Sequence, residues 1–241
     1  MTLSRSFIVA LLTVSAPLAL AAPALAQQAA APAAGPMTSE QIAAFNQAVT
    51  DFTAGQTAQQ AGDNSTAAAK YDAALPAIRA AVAADPAKIE NVNFLANALY
   101  ADAAAQGALG KMDKVIALYT ESAPHWRRLV EAKPTDAANR NIFAGILIQM
   151  GNQKLAAQDK AAADPLYKEA LTLARKSVAE NGTDAVSRNI LLSALIGASQ
   201  TANDPALTNE ALSMGKAMLS DGSIDAMNKP SIEAMTGAKA G

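Results

Sequence analysis

The chain reads as an all-α protein built from antiparallel helical hairpins, and three observations lead there. Alanine makes up about a quarter of the 241 residues, and it is the best helix former with little side-chain entropy to lose. Residue types recur at one fixed interval. Apolar residues between the breaks return at helical spacing.

The recurrence is specific. Tyr71, Tyr119 and Tyr167 lie 48 residues apart, as do Arg79, Arg127 and Arg175, then Val82, Val130 and Val178, then Asn93, Asn141 and Asn189. Gly62 matches Gly110, Pro76 matches Pro124, and Pro86 matches Pro134 in the same register. Self-similarity at a fixed period marks a repeat architecture whose units need their neighbours to bury an apolar face.

From the N-terminus, residues 1–26 have the pattern of a secretory signal peptide. Arg5 supplies the positive end, Phe7 to Leu20 the apolar stretch, and Ala24-Leu25-Ala26 the small-residue cleavage site. Thr13, Ser15, Pro17 and Pro23 interrupt that stretch, whereas a spanning helix needs about 20 consecutive apolar residues. The expected destination is the periplasm, with no stable membrane anchor after cleavage. Residues 27–37 form a Pro/Ala-rich linker.

A helical domain is expected over 38–221. Thr38 or Ser39 caps a first helix carrying Ile42, Phe45, Val49 and Phe52. Gly62-Asp63 turns the chain into a second helix, from about Ser65 to Ala84. Asp85-Pro86 is expected to supply an N-cap and a first-turn proline for a third helix bearing Ile89, Val92, Leu95 and Leu99. A turn near Gly107–Gly110 precedes a helix over Lys111–Ala132, and Pro134-Thr135-Asp136 breaks it. Further helices are expected near 136–156, 160–180, 184–200 and 206–220. The last hairpin is shorter: Glu169-Ala170-Leu171 returns as Glu210-Ala211-Leu212 after 41 residues, and the missing seven equal two helical turns. Pro76 and Pro124 fall inside helices and should kink them. The tail, 222–241, contains Gly222, Pro230 and Gly237 and is expected to be a weak cap or partly disordered.

These features resemble the tetratricopeptide-repeat family. Gly55, Gly62-Asp63, Ala67, Tyr71 and Ala74 stand at the family's spacing for the small residue of the first helix, the turn, and the small/aromatic/small set of the second. Ala103, Gly110, Tyr119 and Ser122 repeat the match, and Tyr167 and Ala170 repeat it more thinly, over about residues 40–220. The family period is about 34 residues. The longer period here adds seven residues to each helix, which implies a flatter superhelix. The resemblance implies a TPR-like α-solenoid whose first helices line a concave, peptide-binding face.

Composition narrows the function classes. Net charge is −2 with both signs interspersed, so no nucleic-acid surface stands out. There is no cysteine, hence no disulfide and no lipidated N-terminal cysteine. No phosphate-binding glycine loop appears, the carboxylates are scattered, and His125 is the one histidine, expected to be a solvated surface residue. No enzyme activity, metal or cofactor is expected. Trp126 shares an apolar register with Ile78 and Ala174 and is expected in the core, as are the three repeated tyrosines, each hydroxyl reaching a partner. The repeated arginines either form a carboxylate-reading ladder or pair with acids on their own or the next helix, as Arg127 would with Glu131.

The repeated asparagines carry the sharpest expectation. Asparagine is a mediocre helix former, yet it returns early in three successive helices, and its amide donates and accepts at once. The candidate partner-binding set is Asn93, Asn97, Tyr100, Asn141, Ile148, Asn152, Asn189 and Ile196. The competing reading has each repeated asparagine tying down local backbone. The expected function is a protein–protein interaction scaffold for a peptide or protein partner. The rivals are a self-associating structural protein and, last, a small-molecule binder.

Overall fold

A computed structural model describes residues 35–202 and 204–237. The expected signal segment 1–26 and the expected linker up to residue 34 lie outside the described residues. Those described are all-helical, with nine helices: α1 Ser39–Gln60, α2 Asn64–Ala84, α3 Ile89–Ala108, α4 Met112–Ala132, α5 Ala137–Ala156, α6 Lys160–Glu180, α7 Ala185–Thr201, α8 Pro205–Ser220 and α9 Lys229–Thr236. Each helix packs on its successor up to α9, and α5 also packs on α7. No described helix is long and apolar enough to cross a membrane.

Local chemistry sets the boundaries. Thr38 and Gln41 form a reciprocal capping box at α1. The carboxylates of Asp63, Asp136, Asp159 and Asp184 accept from the third helical N–H of α2, α5, α6 and α7. Gly62 and Gly110 follow α1 and α3 with φ of +80° and +72°, the left-handed region open to glycine. The matching position after α5 is Gln158, held at φ +61°. α2 and α4 run continuously through Pro76 and Pro124.

Two expectations need correction. Asp85-Pro86 does not start α3. The Asp85 carboxylate accepts from the N–H groups of Ala87 and Lys88, forming a local turn, and α3 begins at Ile89 behind Lys88. The tail, expected to be a weak cap or partly disordered, forms a helix that packs on α8, with residues 238–241 outside the described residues. Pro230 sits in the first turn of α9, Gly237 ends it at φ +70°, and Ile232 is fully buried. A Cβ on Gly215 of α8 would lie 2.5 Å from the Ile232 side chain, so α9 seats against that glycine.

The core runs along the whole helical array. Ala48, Leu75, Ile78, Leu95, Leu99 and Val115 pack at the N-terminal side, and Trp126, Phe143, Leu147, Tyr167, Leu192 and Ile232 toward the C-terminal side. Trp126 is fully buried, as its register predicts. Arg140 is also fully buried, in the C-terminal part. It donates to the Ser177 hydroxyl at 3.2 Å, to the Pro134 carbonyl, and to the Glu180 carboxylate.

Candidate functional site

The candidate residues divide between solvent and core. On α3, Asn93 and Tyr100 are exposed, and the half-buried Asn97 amide donates to the Asn93 carbonyl at 2.8 Å. On α5, Asn152 is exposed and accepts from the Tyr167 hydroxyl at 2.7 Å. The others turn inward. Asn141 is buried and donates to the Ser187 hydroxyl of α7 at 2.9 Å. Asn189 is buried, donates to the carbonyls of Ala185 and Ser223, and accepts from the Asp225 N–H. Ile148 and Ile196 are also buried. The repeated asparagines thus do different things: two tie one segment to the next, and Asn93 remains at the surface.

The repeated arginines pair across helices. Arg79 meets Glu121, Arg127 meets Glu169 and Arg175 meets Glu210, at 2.6, 2.9 and 2.6 Å. The first two pairs span 42 residues and the third 35, so the seven-residue contraction of the last unit leaves the contact intact. The Arg127 partner is therefore Glu169, not Glu131, and its guanidinium also lies over the Phe143 ring, 5.3 Å from the centroid. His125 departs from expectation too. It is half-buried, and burial lowers its pKa against the opposing charge of Glu121.

The tyrosine register exposes a difference between units. Tyr71 and Tyr167 are fully buried, and their hydroxyls donate to Gln59 and Asn152 at 2.8 and 2.7 Å. Each ring lies against a helix that has no side chain there. A Cβ on Gly55 would stand 2.6 Å from the Tyr71 ring, and on Gly151 or Gly197 it would stand 2.9 or 2.1 Å from the Tyr167 ring. In the middle unit the positions matching Gly151 and Gly197 are Ala103 and Gln149. Tyr119 cannot enter the same seat. It is half-buried, its ring stacks on Tyr100 at 6.3 Å, and its hydroxyl makes no hydrogen bond to a described residue. Burial first, then the neighbouring Tyr100, pushes its pKa up to about 12.

Beside Tyr119 there is a cleft of about 370 Å³ between the end of α3, the start of α4 and the second half of α5. Ala103, Gly107, Met112 and Val115 supply apolar walls, and Gln149 and Gln153 supply amides. Tyr119 lines it, and Asn152 reaches its rim from the face predicted to bind a partner. Of the partner-binding set expected from the sequence, only Asn152 lines the cleft. Its signal was the pair of substitutions at the positions flanking the repeated tyrosine.

Beneath this region lies a buried acid. Asp102 is fully buried. Its Oδ1 accepts from the Gln106 amide at 2.9 Å, and its Oδ2 has no partner among the described residues. Asp72 stands beside it, ion-paired to Lys114. Burial pushes the Asp102 pKa up to about 6; the Gln106 hydrogen bond opposes that, and the Asp72 charge adds to it. A carboxyl that keeps its proton can donate from Oδ2 to Asp72, which removes the unpaired buried charge. No cluster of three or more metal-ligating side chains occurs among the described residues. No family model and no curated protein sequence matches the chain.

Proposed function

We propose that the chain is an exported, TPR-like scaffold of stacked helical hairpins that binds a peptide or protein partner on the face shared by α3 and α5. The single observation that carries this reading is an open cleft lined by exposed Asn152 and by Tyr119, on whose ring exposed Tyr100 stacks. Such a surface combines an aromatic anchor, amides that pair with peptide backbone, and a concavity. The stacking itself is supported by the Arg–Glu pairs that recur from α2 to α4, α4 to α6 and α6 to α8. Residues 1–26 act as the signal peptide, and the protein works in the periplasm.

One observation favours self-association as a second reading. Ile42 and Val49 on α1 are 49% and 43% exposed, whereas α9 covers the other end of the array. An apolar end that no described residue covers is where another copy would stack.

Photocrosslinking in intact cells tests the first reading. Probes at positions 97, 100 and 152 should capture one common protein, and a probe at the exposed position 176 of α6 should not. Capture of only the same chain from all positions would favour self-association. Empty lanes from a folded, abundant protein would refute the scaffold.

A further inference from the structure

The middle unit offers its tyrosine no glycine seat, and a cleft opens beside the Tyr119 ring instead. Tyr71 and Tyr167 show what such a seat accommodates: a phenol ring lying where a glycine leaves room for it, with its hydroxyl held by a side-chain amide. At the middle unit Ala103 and Gln149 stand at the glycine positions, and the cleft is lined by the Tyr119 ring, which stacks on Tyr100.

We propose that this cleft is a pocket for an aromatic side chain, tyrosine above all, presented by the bound partner. The inference rests on α3 and α5 forming the partner-binding face. Three observations support it. The volume, about 370 Å³, exceeds what a phenol ring needs and is at the lower end of ligand pockets. The walls offer a tyrosine ring, Tyr119, for offset or edge contact, and the Met112 thioether, which favours aromatic partners. The amides of Gln149 and Gln153 make no side-chain hydrogen bonds to described residues and stand ready for a hydroxyl, the role Gln59 and Asn152 play in the other units.

The test uses the whole purified protein with methyl-labelled methionine. N-acetyl-L-tyrosinamide is the probe, and N-acetyl-L-leucinamide and free phenol are the comparisons. The tyrosine amide should shift the Met112 methyl resonance saturably, with a Kd on the order of 1 mM for a ligand of this size. The leucine amide should bind at least about tenfold more weakly, the difference expected when an aromatic contact is lost.

Two variants close the pocket by different means. Ala103→Gly with Gln149→Gly recreates the glycine seat, so Tyr119 should sink into it and the probe should lose about tenfold in affinity or more. Ala104→Phe, at an exposed cleft-lining position, fills the space without touching the core and should do the same if the double variant fails to fold. Equal binding of the leucine amide, no saturable shift, or unchanged affinity in Ala104→Phe would overturn the proposal. Phenol binding as tightly as the amide would assign the pocket to a free small molecule and overturn its assignment to a partner side chain. Failure of the pocket leaves in-cell capture from positions 97, 100 and 152 intact, whereas empty crosslinks with a probe that binds would sink the scaffold and, with it, the assignment of the ring to a partner.

Discussion

Replacing Asp102 by asparagine should make the protein more stable at neutral pH, and less so as the pH falls. In the unfolded chain this carboxyl ionises near its ordinary value of 3.8, whereas in the folded chain burial holds the proton up to about pH 6. A raised folded pKa gives a stabilising contribution that is complete below about pH 4 and disappears as pH rises through about 6. The gap of roughly two units corresponds to about 3 kcal/mol. The groups that face Asp102 are Asp72, Tyr71 and Arg79 of α2, Gln106 of its own helix, and Lys114 of α4. Asparagine keeps an oxygen for the Gln106 amide and places an N–H donor where Oδ2 stands, toward Asp72. Asp102→Asn should therefore gain on the order of 2 kcal/mol over the parent at pH 7.5 and match it within about 1 kcal/mol at pH 4.5. Urea unfolding followed by Trp126 fluorescence at several pH values between these limits reads the difference directly. Parallel pH curves for parent and variant, or a less stable variant at pH 7.5, would refute the protonated, buried carboxyl.

Three further outcomes follow from particular contacts. Gly197→Ala puts a methyl 2.1 Å from the Tyr167 ring and should destabilise by about 2 kcal/mol or more in a denaturant titration, since overpacking in a tight core forces backbone movement. Gln158→Gly relieves a left-handed conformation at the position where Gly62 and Gly110 stand in the other units; the gain should be up to about 1 kcal/mol, visible as a higher Tm. Ending the chain after Asp221 removes Ile232 from the core and strips Asn189 of the Ser223 and Asp225 backbone groups. The loss should be about 3 kcal/mol or more, with increased amide exchange in α7 and α8.

Much of the helical layout was legible because it depends on near neighbours in sequence. The 48-residue register marked Tyr71, Tyr167 and Trp126 as core, and glycine and aspartate marked most turns. What escaped was decided by distant neighbours. α9 looked like a tail because Gly222, Pro230 and Gly237 read as breakers, yet Ile232 is secured by Gly215, a residue on another helix. Arg140 and Asp102 gave no sign of burial; Arg140 meets Ser177 and Glu180, about 40 positions away in sequence, and Asp102 lies against Asp72 and Lys114. The repeated asparagines shared a register but not a fate, because what α5 and α7 meet differs from what α3 meets. The cleft was legible in principle. Aligning the units puts Ala103 and Gln149 where the third unit has Gly151 and Gly197, and those glycines are what admit Tyr167.

The most direct test of the partner-binding face is hydrogen–deuterium exchange on the whole protein, alone and with the protein captured by the crosslinks. Protection should concentrate in the C-terminal half of α3, the first turn of α4 and the second half of α5, and spare α6 and α8. Protection confined to α1, or spread over α6 and α8 with α3 and α5 unchanged, would contradict a partner seated beside Tyr100 and the cleft.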